Sequence, residues 1–290
     1  MANIRDLEQK ISSLQNMQKV MGAMNMISSI KLRKLIGQQE SVLLFEKALN
    51  TITNRVAAAT EFTENPGVSG WQQVHKAHVV LFSADKGLCG SHNSSVGRAL
   101  DSEIVHLREE NISVDVTAIG IKAAQYCRRK EYELYRQYPI HEKLFTDGEL
   151  DTLVEDLYNR FSQGEVQEIH FIYNRFVSTI QQETRTEIRL PLSGRIGTAN
   201  PETSVPAEII MEPEGDEFLA RGLTQYLRAS LEIARIHSQL SEHASRMTAM
   251  ENATNNSEDL IDRYRSQQNK ARQASITGEL IEIVSGKEAQ

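Results

Sequence analysis

The stretch SADKGLCGSHNSS (83–95) sets hydroxyls, an acid, a base and a thiol directly after an apolar run, HVVLFSA (78–84), and before a helical pattern. A strand-to-helix turn is where α/β proteins hold phosphates, because free backbone N–H groups and a helix N-terminus converge there. Its glycines, Gly87 and Gly90, fit neither GxGxxG nor GxxxxGK followed by Ser or Thr. Two readings follow. One is a nucleotide-binding enzyme using this loop. The other, favoured here, is a tight turn with φ > 0 at a glycine, Cys89 packed inside, and Asp85 and Lys86 as a local ion pair or partner contacts.

The other reactive residue types are scattered. The eight histidines stand at 75, 78, 92, 106, 141, 170, 237 and 243, and no three share metal-ligand spacing, so solvated or capped histidines are expected and no metal site. Acidic pairs such as Glu109–Glu110 and Glu258–Asp259 read as solvated helix faces. Cys89 and Cys127 have no CxxC spacing and are expected to be small buried hydrophobes in a reducing compartment. No catalytic residue and no cofactor is assigned.

The elements that would position these residues divide by their breakers. All six prolines fall between 66 and 213, and residues 223–277 contain no glycine. Residues 3–57 read as one helix, with Ile4, Leu7, Ile11, Leu14, Met17, Met21, Met24 and Ile27 and then Val42, Phe45, Leu49, Ile52 and Val56 on its apolar face. Residues 216–284 read as another, with a face running from Phe218 to Met247 and Glu251 and thinning to Leu260, Ile261, Tyr264 and Ala271. The middle reads as α/β: strands at 78–84, 112–120 and 207–213, a hairpin turning near Val177–Ser178, and helices at 93–110 and 149–163. The fold class is therefore α/β plus long helices, an antiparallel coiled coil of the terminal helices with a Rossmann-like α/β central domain. The domain limits are 1–65, 66–215 and 216–290.

At about 1.5 Å per residue the two helices span about 80 and 100 Å, too long for the interior of a globule of this size, so each needs the other along its length. Antiparallel pairing from 57 opposite 216 makes paired residue numbers add to about 273. The apolar residues Ile276, Leu280, Ile281, Ile283 and Val284 then outrun the first helix and call for cover by another protein. Net charge is −7, with the acidity in the middle (−10 over 58–216) and a basic first segment (+4 over 1–57). A general nucleic-acid binder is excluded on that balance. KLRK (31–34) is either a solvated face or a contact for an acidic partner. No apolar run approaches a membrane span, and the charged start MANIRDLEQK has no signal-peptide pattern.

Three blocks resemble the γ subunits of F-type ATP synthases: LQNMQKVMGAMNMISSIKLRK (14–34), SADKGLCGSHN (83–93), and RMTAMENATNNSEDLI with NKARQASITGELIEIVSG (246–286). The resemblance spans nearly the whole chain. It implies a central rotor shaft whose helix pair turns inside a hexamer of α and β subunits, coupling ion flow to ATP synthesis or hydrolysis without making bonds itself. It implies partners in the α, β, δ and ε subunits and the c-subunit ring, with no direct nucleotide binding. It implies a peripheral place on the cytoplasmic face of a bacterial plasma membrane. By the same resemblance Lys19, Met24, Arg246, Arg272, Gln273, Thr277 and Glu282 meet the α and β subunits, while Asp85, Gly87, Cys89 and Gly90 are a structural signature of the central domain. Gly22 departs from the family, where a basic or polar residue is common, and costs the helix about 1 kcal/mol relative to Ala. The stand-alone alternative is a coiled-coil adaptor carrying an α/β module.

Overall fold

The computed structural model describes residues 4–58, 64–141, 145–193 and 216–288. The expected strand at 207–213 lies outside them. Two compact units form, one of Met1–Ile30 with Arg246–Gln290 and one of Lys31–Ser245. Two helices contribute to both: α1 (Ile4–Ala58) and a last helix of 73 residues (Asp216–Glu288).

In the first unit these helices run antiparallel. Gln268 Nε2 donates to Glu8 Oε1 at 2.9 Å, and Lys10 Nζ lies 5.6 Å from the Tyr264 ring centroid. Those pairs add to 276 and 274, within a turn of the register expected from length alone. The seam differs from the apolar pattern. Met17 and Ile27 are half exposed, while Gln18 and Asn25 are partly buried and Ser28 is buried. Along α1 the covered positions include 7, 11, 14, 18, 21, 25, 28, 32 and 35, an alternation of four and three, with Ile4, Met24 and Ser29 also partly buried. On the last helix Met250, Ser257 and Ile261 are buried, whereas Glu251 and Leu260, expected on the face, are exposed. The cause is phase: a two-helix seam repeats every 3.5 residues, and the helix keeps that phase even where the residue supplied is polar.

The second unit is a five-stranded sheet between helices. Its elements in order are α2 (Pro66–Ser69), β1 (Lys76–Phe82), α3 (His92–Glu109), β2 (Ser113–Ile119), α4 (Ile121–Arg129), β3 (Leu134–Tyr138), α5 (Asp147–Ser162), β4 (Glu168–Phe176) and β5 (Gln182–Leu190). We call the last helix α6. Strand order is β3-β2-β1-β4-β5, with the first four parallel and β5 antiparallel to β4. β1, flanked on both sides and covered on both faces, is apolar at nearly every position, as a central parallel strand must be. α4 and β3 are additions to the sequence reading. Gly120 makes the turn into α4 at φ 110°, and a Cβ there would sit 2.3 Å from the Ser83 carbonyl oxygen, so only glycine fits.

One face of the sheet packs against α5 and the first turns of α6 through Phe82, Phe171, Leu153, Leu157, Leu223 and Leu227. The other packs against α3 and α4 through Leu81, Ile172, Leu100, Ile104 and Cys127. A capping box of Thr146 and Glu149 starts α5. From α1, Leu49 packs against the first core; Phe45 and Ile52, expected on the same face, are exposed. No helix among the described residues is long and apolar enough to cross a membrane.

Candidate functional site

The loop after β1 is held by its own side chains. Ser83 Oγ accepts the Ala123 N–H at 2.7 Å, and Asp85 Oδ1 accepts the N–H groups of Ile121 and Ile140, each at 3.1 Å. The Ala123 and Ile121 N–H groups are first-turn donors of α4, and the Ile140 N–H lies just after β3, so the loop's polar side chains are spent on neighbouring backbone. Asn93 Oδ1 accepts the Ala84 N–H at 2.9 Å, and its Nδ2 donates to Cys89 Sγ at 3.1 Å. Cys89 is buried, Gly90 takes φ 56°, and Leu88, exposed, takes φ 60°. Asp85 thus serves backbone donors, and no ion pair with Lys86 forms among the described residues. At the sheet's switch point, between β1 and β4, Asn174 donates to His92 Nδ1 (3.0 Å) and accepts from Ser95 (3.1 Å) and Thr184 (2.7 Å). Hydrogen-bonded side chains of the protein itself occupy the crevice where an open α/β sheet binds ligands. Asp85→Ala leaves two backbone N–H groups unserved and is expected to cost about 1–2 kcal/mol, read as a lower thermal midpoint with the fold retained.

The shaft residues fall at two stations. Lys19 is exposed, Met24 partly buried and Arg246 buried on the paired helices. With paired numbers adding to about 275, Met24 lies level with about 251 and Arg246 with about 29, so the two stand about a turn apart along the pair. The second station is on α6, where Arg272, Gln273 and Thr277 are exposed and Thr277 Oγ1 donates back to the Gln273 carbonyl at 2.8 Å. Ile276, Leu280 and Ile281 are exposed there too. Glu282 belongs to α6, and its side chain lies outside the described residues. About 26 residues, or about 40 Å of helix, separate the stations. The pattern of apolar residues did not reveal a further exposed face on α1, made by Met17, Val20, Met26, Ile27 and Ile30.

Buried charge was also missed. His78, His92 and His170 are buried rather than solvated. Asp115 on β2 lies against His78, accepts from Arg160 Nη2 at 2.6 Å and pairs with Lys76 Nζ at 2.9 Å. Burial pushes the Asp115 pKa up, but the His78, Arg160 and Lys76 contacts outweigh it and hold the carboxyl well below its usual range. Burial pushes the His78 pKa down against the pull of Asp115. His78 Nδ1 lies against Asp115 and 2.9 Å from Arg160 Nη1, a donor, while Nε2 lies 3.0 Å from Thr117 Oγ1. The Arg160 guanidinium lies 4.0 Å from the Tyr135 ring centroid. This cluster joins β1, β2 and α5 at the amino ends of the strands, away from the carboxyl-end crevice, and braces the sheet. No group of three or more His, Cys, Asp or Glu among the described residues could hold a metal ion.

A five-stranded α/β sheet joined to two long paired helices is the fold of chains solved within rotary ATP synthases. A chain of the Euglena gracilis mitochondrial enzyme, in a structure described as OSCP/F1/c-ring, superposes with TM-score 0.66 at 16% identity, over 99% of this chain and 94% of that one. A chain from the central stalk and c ring of Tetrahymena thermophila gives 0.63 at 22% identity, over 81% and 99%. The sequence model described as ATP synthase matches residues 3–290. The ATP synthase gamma chain of Moorella thermoacetica is 34% identical, covering 100% of this chain and 99% of that one, and that of Magnetococcus marinus is 33% identical at the same coverages. The chain belongs to the ATP synthase γ chain family.

Proposed function

We propose that this chain is the rotating shaft of its ATP synthase, working inside a hexamer of α and β subunits and making no bond itself. The observation that carries the reading is the antiparallel pair of α1 and α6, which exposes Lys19 at one level and Arg272, Gln273 and Thr277 at another. A lever must be stiff along its axis and present side chains that partners can push, and paired helices supply both. Lys19, Met24 and Arg246 would meet the hexamer at the lower level, and Arg272, Gln273, Thr277 and Glu282 at the tip. The apolar side chains of the tip suit a sleeve of other subunits, because an uncovered apolar patch of that kind is rarely kept. The sheet unit would stay outside the hexamer, with ε and the c ring at its foot. The structural similarity to a chain solved in a central stalk with its c ring supports that arrangement. The δ subunit, and a peripheral place at the cytoplasmic face of a bacterial inner membrane, belong to the same reading.

The test is reconstitution. Purified chain mixed with α and β subunits is expected to form a stable complex that hydrolyses ATP and rotates. Removing residues 273–290 is expected to lower rotational torque or assembly several-fold. No complex with α and β, or full torque after deletions running deep into both helices, would overturn the shaft reading. Self-association through the helices with no effect on ATPase would favour an adaptor instead.

A further inference from the structure

We propose that His170, held as an imidazolium between Glu103 and Glu168, is a proton-dependent latch that ties α3 to the sheet and releases it as the solution turns alkaline. His170 sits on β4 with 2% of its surface exposed. Nδ1 meets Glu103 Oε1 of α3 at 2.7 Å, and Nε2 meets Glu168 Oε2 of β4 at 2.8 Å. Both ring nitrogens therefore face carboxylate oxygens, which only accept. A neutral imidazole has one N–H and would leave one nitrogen lone pair against a carboxylate; the cation satisfies both. Lone pairs in opposition without water between them are costly, so the geometry itself selects the protonated ring.

Among the described residues no substitute cation is in contact with the pair. From α3 come Glu103 and, beside it, the exposed His106. From β4 comes Glu168. β5 places Ile188 opposite His170, and β1 places Val79 beside it. Burial works against the charge, but the two carboxylates more than reverse that, and the His170 pKa is pushed up to about 9. The sign follows from linkage. A group whose folded pKa lies above its unfolded value of about 6.5 gives its full contribution below 6.5 and loses it as pH rises through about 9. Three groups near α3 and α4 are shifted upward as well. Tyr126 and Tyr132, both bonded to Asp101 of α3, are pushed up to about 12, and Cys127 to about 11. Those three groups therefore titrate above His170, and the His170→Gln variant isolates its share of any loosening of α3 between pH 7 and 10.

The experiment uses the full chain and two mass-spectrometric readings. Exchange of the imidazole C2 hydrogen reports the His170 titration directly; a midpoint near 9 is expected, and one at or below 6.5 overturns the latch. Amide exchange in α3, corrected for the intrinsic rate, is expected to lose protection at least about tenfold between pH 7 and 10, while α5 on the opposite face keeps its protection. His170→Gln should remove that pH dependence. Glu103→Gln, which preserves shape, should bring the His170 midpoint below about 8. Equal loss of α3 protection in the parent chain and His170→Gln, or an unmoved midpoint in Glu103→Gln, overturns the proposal.

Discussion

Asp115→Ala is expected to destabilise the sheet unit by about 3–5 kcal/mol, the cost of leaving a buried charge without its partner. Asp115 is 1% exposed, and its two oxygens face His78, Arg160 and Lys76. Lys76 is partly exposed and can turn to Glu133, 3.3 Å away. Arg160 is buried, and among its described contacts the carboxylate left to it is the more exposed Glu165. The loss therefore concentrates on the α5 contact with β1 and β2. Trp71 is the single tryptophan and packs edge-on against Phe161, the residue after Arg160, so its fluorescence in a denaturant series reports the right region. The pH dependence has a definite sign. A carboxyl depressed on folding contributes above its unfolded value of about 3.9 and loses that contribution as pH falls toward the folded value. The parent chain should lose stability in acid faster than the variant. Replacing the cluster together, Asp115→Leu with Arg160→Met and His78→Leu, should recover most of the loss, since a well-packed apolar substitute for a buried ion pair is often neutral. A change below about 1 kcal/mol in Asp115→Ala would show that the cluster does not brace the sheet.

The same cluster shows where the sequence was hard to read. β1 was visible as an apolar run and β2 as an alternating stretch ending in glycine, but a central parallel strand is covered on both faces, so alternation does not say which side a residue such as Asp115 takes. Arg160 was equally hidden, because a helix that is polar on average gives no sign that one arginine points inward. α4 escaped notice because its buried side chains are Ala123, Ala124 and Cys127, too small to draw an apolar stripe, and β3 because LYRQY is a half-exposed edge strand. The long helices were legible from the missing breakers, and their pairing from length.

The seam was half legible. Choosing apolar residues put Met17 and Ile27 on it, where a strict 3.5-residue count from Leu7 would have chosen Gln18 and Ser28. That error hid an exposed apolar face, because Met17 and Ile27 point away from α6. The loop at 83–95 shows the converse. Its residue types suggested phosphate chemistry, and only the bonds that Ser83, Asp85 and Asn93 accept from backbone N–H groups reveal that these side chains serve the fold.

Ile261→Asp is expected to open the helix pair and to abolish coupling, whereas Leu260→Asp, one residue away with the same change in charge, should do neither. Ile261 is 4% exposed, and the observed register sets it level with about Leu14, inside a seam where Leu7 is 3% exposed. A carboxylate there loses the apolar contact and must stay unpaired. Its near neighbours Glu258, Asp259 and Asp262 add like charge. Together these are worth about 3–5 kcal/mol, and an unpaired helix is marginal in water, so the pair has little to oppose them. Leu260 is already 37% exposed, so the control carries the charge without entering the seam. Pairing can be read in the free chain by disulfide formation between Glu8→Cys and Gln268→Cys, whose native side chains are hydrogen-bonded at 2.9 Å. Trapping should slow at least about tenfold in Ile261→Asp, which corresponds to losing only about 1.4 kcal/mol of the paired state. In the reconstituted complex the same variant should hydrolyse ATP without turning a load, because a lever whose two strands part cannot transmit twist from one level to the other. Trapping at the parental rate would remove Ile261 from the seam; parental trapping together with lost rotation would instead assign it to a contact with the hexamer.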